Sequence, residues 1–137
     1  MHPHWRKTPE TEKDWFEALA NLARYLRGPE GCPWDREHSA AEFAADAVEE
    51  GGELLDAFTG GDNAEIEEEW GDAFFVLLAS AAAAEDEQRF NLRDAIKKAH
   101  DKMIRRHEHV FGDTKASSAE DAIDRWNQVK SREREGE

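Results

Sequence analysis

Cysteine occurs once in 137 residues, at Cys32, so the chain can close no internal disulfide. That usage suits a reducing compartment. Long apolar runs are also missing. The longest, interrupted only by Ser80, runs from Ala73 to Ala84 and is too short to cross a bilayer. The opening MHPHWRKTPE lacks the apolar core of a secretory leader, and the expectation is a cytoplasmic protein. Cations are scarce: 18 Lys and Arg stand against 32 Asp and Glu, a formal charge of −14. That balance argues against a nucleic-acid polymer or an anionic membrane as partner, because both are bound by neutralising phosphates. An anionic small molecule would need a local basic patch or metal ions.

β-branched residues are few and alanine is abundant, which points to an all-α chain. The length fits one domain, with a core expected over about residues 10–133 and frayed ends, REREGE included. Trp15, Leu19, Leu22 and Leu26 recur at helical spacing in a first helix, from about Glu10 to Arg27. Gly28 and Pro29 stop it, and GPEGCPWDREH reads as irregular loop. Ser39 with Glu42 makes a capping-box pattern for a second helix reaching about Phe58. Asp62 with Glu65 signals a long third helix through IEEEWGDAFFVLLASAAAAE. A fourth starts near Asn91, with Leu92, Ala95, Ile96, Ala99 and Met103 expected inward. After HVFGDTKAS, Ser117 with Glu120 predicts the start of a last helix.

The second and third helices read as an antiparallel pair about the turn Thr59–Gly61. Glu50 and Glu53 share one helix face, and Glu69 and Asp72 share another. Glu53 and Glu69 lie at nearly equal distance from the turn, as do Glu50 and Asp72, so the pairs fall at one height. If the faces meet, four carboxylates converge and need a hard divalent cation, Mg²⁺ or Mn²⁺, to stay ionised together. Val48, Leu54, Ala57, Phe74 and Phe75 favour an inward face, and Trp70 reads as core. The alternative is solvated surface, as for Glu65, Glu67 and Glu68. Glu49 lies about 100° round the helix from Glu50 and is either exposed or a nearby base. Gly51-Gly52 marks either a close approach to the helix or tolerated drift.

IKKAHDKMIRRHEHVFG stands out from the acidic background. Lys98, Lys102 and Arg105 fall near one stripe with His109, and Arg106 lies beside it. They read either as a phosphate patch or as cations suited to a helix C-terminus. CPWD places Trp34 and Asp35 before the acidic helix. Trp34 either stacks on a planar base, with Asp35 reading its edge, or plugs the bundle end; Trp126 has the same two readings. Cys32 reads as structural.

In order along residues 19–133, LRGPEGCPWDREHS, EEGGE, EEWGD, RRHEHVFGD and RWNQVK resemble the MazG family of nucleotide pyrophosphohydrolases, within the all-α NTP pyrophosphatase superfamily. The family's EExxE…ExxD pattern stands here as Glu49, Glu50, Glu53, Glu69 and Asp72. The resemblance implies a four-helix-bundle-like, Mg²⁺-dependent enzyme that cleaves a nucleoside triphosphate to monophosphate and pyrophosphate. By that analogy Glu50, Glu53, Glu69 and Asp72 are metal ligands and Glu49 lies in or beside the ligand sphere. Lys102, Arg105 and Arg106 would contact phosphates, with Trp34 and Trp126 near the base. A homodimer, or a dimer of dimers, is also implied. The chain departs from the family at Gly51 and Gly52, where bulkier residues are usual, and at Glu108, where proline is usual. Competing readings are a narrower house-cleaning activity on dUTP, dCTP or a damaged nucleotide, a non-catalytic helical interaction module, and a di-iron bundle. The last wants Glu-x-x-His pairs, which these carboxylates do not form.

Overall fold

Helix starts follow the capping residues. The computed structural model describes residues 1–136 and places among them seven helices and no strand. Thr11 accepts from the Asp14 amide while Asp14 accepts from the Thr11 amide, so α1 (Glu12–Leu26) begins on a complete capping box. Ser39 and Glu42 build the same reciprocal pair for α3 (Ala40–Gly60), and Asp62 caps α4 (Asn63–Asp86) by accepting from the Glu65 amide. The loop expected to be irregular holds a short helix, α2 (Pro33–Glu37). Pro33 stands in its first turn, where a fixed φ helps and no amide is missed. The chain continues with α5 (Leu92–Arg106), α6 (Glu108–Phe111) and α7 (Ala119–Glu135). Ser118, not Ser117, caps α7 by accepting from the Asp121 amide. Residues expected to fray extend α7 to Glu135, and Glu137 of that stretch lies outside the described residues.

Two compact units divide the chain, Met1–Leu92 and the residues from Arg93 onward. In the first, α4 packs along α3 and against α1. Alanine makes up most of the buried contact surface. Ala20, Ala23, Leu78 and Ala82 form one buried cluster, with Leu19, Phe74, Phe75 and Leu92 against it. Phe43, Ala79 and Ala83 form another. Methyl-sized side chains let helix backbones approach closely, leaving little spare volume. Ala83 is fully shielded, so Ala83→Leu should overpack the seam. Thermal denaturation should show a loss of about 1–3 kcal/mol.

Charged pairs tie the same helices. The Arg24 guanidinium meets Glu85 at 2.9 Å, holding that carboxyl below its usual range, and Glu85 also accepts from the Leu92 amide at 3.1 Å. Arg27 donates to Asp86 at 2.8 Å and to the backbone carbonyls of Asp35 and His38, which pins α2.

Several faces differ from expectation. Trp15, Val48 and Trp70 are 54%, 78% and 54% exposed rather than inward. The apolar stripe of α5 is covered only at its start: Leu92 packs on the alanine cluster, but no α5 residue is fully buried, and Ile96 and Met103 are both exposed. Periodicity identifies an apolar face but not whether this chain supplies its cover. In the second unit, Val129 and His109 are buried. Glu133 receives Arg105 at 2.8 Å and Arg106 at 3.1 Å, which holds its carboxyl down at about 2.

Candidate metal centre

The turn at Gly61 and Asp62 folds α4 back along α3, and this sets the acidic residues face to face. Gly61 ends α3 with its amide donating to the Ala57 carbonyl, and Asp62 opens α4 two residues after α3 ends. One carboxylate oxygen each of Glu50, Glu69 and Asp72 lies within 4.8 Å of the others. Glu53 adjoins this trio, within hydrogen-bonding reach of both Glu50 and Glu69. Glu49 is exposed beside it, near enough for its charge to act on Glu50.

The electrostatics favour a positive counter-charge at this point. Glu50 Oε2 and Glu69 Oε2 are shielded from solvent, yet neither has a hydrogen-bond partner among the described residues. The Glu50 carboxyl is pushed above its usual range by desolvation, then by the neighbouring charges of Glu53 and Asp72. Glu69 is raised by the same causes in the same order. Buried acceptor oxygens are normally satisfied, and an orphaned pair among like charges is costly. A hard divalent cation answers both deficits, because it takes several carboxylate oxygens and cancels their repulsion. The donor set is all oxygen and contains no His or Cys, so it fits Mg²⁺ or Mn²⁺ better than zinc.

Gly51 and Gly52 lie on the exposed side of α3, and an added Cβ at either would meet no other atom within 4 Å. Among the described residues, the close approach that a Gly pair can signal is absent. Trp34 stands on α2, 58% exposed, and Asp35 follows it with its carbonyl engaged by Arg27.

The remaining sequence-derived candidates belong to the second unit. Lys98, Lys102, Arg105 and Arg106 are on α5, and Trp126 is on α7. Arg105 and Arg106 converge on Glu133, and Arg106 also lies over the Trp126 ring at 5.3 Å. Lys98 and Lys102 make no ion pair among the described residues. Glu108 pairs with Arg132 at 3.0 Å, so its charge is engaged there.

Sequence reasoning passed over His38 and Asp46. The His38 ring stacks on Trp34 and its Nε2 lies 2.8 Å from Asp46 Oδ2. One signal was available: Asp46, Glu50 and Glu53 follow i, i+4, i+7 spacing, which puts Asp46 on the acidic stripe one turn earlier. His38 had none, because it precedes the helix.

The MazG nucleotide pyrophosphohydrolase domain matches residues 39–111. The nucleoside triphosphate pyrophosphohydrolase of Escherichia coli K12 is 39% identical over 120 residues, which is 87% of this chain and 46% of that protein. The nucleoside triphosphate pyrophosphohydrolase/pyrophosphatase MazG of Thermotoga maritima is 34% identical over 119 residues, 87% of this chain and 45% of that one. YabN of Bacillus subtilis is 38% identical over 119 residues but matches over 24% of its length. The chain therefore spans less than half of each of these relatives. The crystal structure of a MazG-related protein from Thermotoga maritima superposes with a TM-score of 0.69 at 31% identity, covering 82% of this chain and 96% of that one. With its all-helical fold and its matched segment running through the carboxylate hairpin, this chain belongs to the MazG nucleotide pyrophosphohydrolase domain family.

Proposed function

We propose that this chain hydrolyses a nucleoside triphosphate to the monophosphate and pyrophosphate, using Mg²⁺ held by Glu50, Glu53, Glu69 and Asp72. The observation that carries the reading is the convergence of Glu50, Glu69 and Asp72, with two shielded oxygens lacking partners. When bound, the cation supplies charge neutralisation for the triphosphate and makes water more acidic.

The chain's own residues account for the remaining roles. Water attacks the α-phosphorus, an O–P bond forms, and the bond to the pyrophosphate oxygen breaks. The water proton passes to a carboxylate oxygen, and Glu49 is suited to take it because it is exposed beside the trio rather than part of it. Lys98, Lys102, Arg105 and Arg106 are assigned to the phosphates and to the departing negative charge. Trp34 and Trp126 are assigned to the base, with Asp35 to its polar edge. Trp34 is 58% exposed, as a stacking platform must be. Arg105 and Arg106 would exchange Glu133 for phosphate oxygens on binding.

A homodimer belongs to the same reading. Val48, Leu55, Phe58, Trp70 and Leu77 are all more than half exposed on α3 and α4, a large apolar surface for a lone acidic chain. Cytoplasmic residence also follows from it, since nucleoside triphosphates are there; no helix among the described residues is long and apolar enough to cross a membrane.

A panel of normal and modified NTPs and dNTPs, assayed with Mg²⁺, with Mn²⁺ and with EDTA, tests the reaction. The expected products are pyrophosphate and monophosphate, formed only with metal. Orthophosphate as the primary product, or turnover undiminished by EDTA, would refute it. The ranking across the panel separates a broad activity from a house-cleaning one.

A further inference from the structure

We propose that His38 is a positioning residue, holding the Trp34 ring against α3 with one face covered and the other presented to a nucleobase. This rests on the assignment of Trp34 to the base made above.

The geometry is specific to this corner of the first unit. The Trp34 and His38 rings stack with centroids 4.3 Å apart and planes at 21°. His38 is itself held by three residues of α3. Its Nε2 lies 2.8 Å from Asp46 Oδ2, its Nδ1 lies 3.7 Å from Glu42 Oε2, and Phe43 meets it nearly edge-on at 4.4 Å and 77°. A carboxylate only accepts, so Nε2 carries a proton and donates to Asp46. Phe43 is buried at 2% exposure and also meets the Trp34 edge at 5.9 Å and 82°. The imidazole side chain is only 16% exposed, whereas Trp34 is 58% exposed.

α2 has five residues and no side-chain cap, so it does little by itself to orient an exposed indole. His38 supplies a backing surface whose plane is set by α3, the helix that also carries Glu49, Glu50 and Glu53. The base platform is thereby referenced to the acidic stripe. Ordering an aromatic side chain before binding removes that cost from the binding step, so losing the backing should weaken substrate capture rather than slow the chemistry.

The experiment combines kinetics with Trp34 emission. Trp34→Ala and His38→Ala should each raise KM for the preferred nucleotide about tenfold, the equivalent of a lost base–aromatic stack, with kcat little changed. The double variant should be no worse than the worse single one. His38→Phe keeps the flat backing and should stay near the wild-type KM. His38→Gln keeps a donor for Asp46 but no ring, and should behave like His38→Ala; it also covers a folding failure of the alanine variant. The Trp34 contribution to emission, wild type minus Trp34→Phe, should change in His38→Ala and His38→Gln, where the indole loses its stacked cover, and stay near the wild-type value in His38→Phe. If Trp34→Ala raises KM while every His38 variant leaves KM and Trp34 emission unchanged, the positioning role is wrong and the base assignment survives. An unchanged KM in Trp34→Ala overturns the base assignment, and the role of His38 falls with it.

Discussion

Glu50→Gln is expected to lose metal-dependent release of pyrophosphate and, at the same time, to make the metal-free protein more stable to heat. The two effects have one cause. Glu50 sits with Glu69 and Asp72 in a group of carboxylate oxygens within 4.8 Å, its Oε2 shielded and unpartnered. Without a cation, the folded state bears the repulsion that raises the Glu50 carboxyl. An amide of the same shape removes the charge, relieving the repulsion and also removing a hard anionic ligand. Turnover should fall by about two orders of magnitude or more, since ligand loss is no gentler than the loss of supporting groups around a metal. Asp72→Asn should behave alike. Calorimetry without metal, circular dichroism and the pyrophosphate assay check it together. Near-normal Mg²⁺-dependent turnover with unchanged helicity would remove the residue from the ligand set. Lower apo stability would mean that the carboxylate serves structure instead.

The second large effect concerns metal and pH. Metal that binds only the folded state should stabilise the protein by about 2.7 kcal/mol at a hundredfold excess over Kd. In EDTA the pH dependence should have a definite sign. Glu50 and Glu69 hold protons more tightly in the folded chain than in the unfolded one. Stability therefore falls as pH rises from the ordinary glutamate value of 4.5 through their raised values. The depressed carboxyls act oppositely and lower down. Asp14 and Glu133, both held at about 2, contribute stability that is present above their unfolded values and is lost as pH falls toward 2. Metal-free protein should then be most stable on the mildly acidic side of neutrality. Saturating Mg²⁺ should abolish the loss toward neutral pH, because it cancels the repulsion that raises the two carboxyls. Melting curves at several pH values, with and without Mg²⁺, decide it, and Glu50→Gln with Glu69→Gln serves as the control in which the alkaline loss disappears. A metal-free pH profile unchanged in that double variant would show that these two groups do not set it.

Much of the site was legible in the sequence. Counting from a turn set Glu50, Glu53, Glu69 and Asp72 at one height, and Glu50, Glu69 and Asp72 do come together. That works because an α-helix advances a constant distance per residue and a tight turn leaves an antiparallel partner little freedom of register. The cap residues Ser39 and Asp62 mark helix starts for a similarly local reason, since the donors they satisfy lie within three residues. Ser118 in place of Ser117 shows the limit of that reasoning, for adjacent hydroxyls offer equal chemistry and the backbone chooses between them.

Composition and local spacing alone determined the all-α class, the main helices and the hairpin, and set Glu50, Glu53, Glu69 and Asp72 at one height, all of which depend on interactions a few residues long. Tertiary structure decided what depends on distant neighbours. It buried Ala83 and Phe43 while leaving Val48, Trp70, Ile96 and Met103 uncovered, because apolar periodicity marks a face without saying what covers it. It turned CPWD into a helix through Arg27, whose bonds to the carbonyls of Asp35 and His38 come from another element. It engaged Arg105 and Arg106 with Glu133, residues more than 25 positions away in the chain. It also stacked His38 under Trp34 and tied it to Asp46. No periodicity joins a loop residue to a helix face, so only the packed chain brings them together.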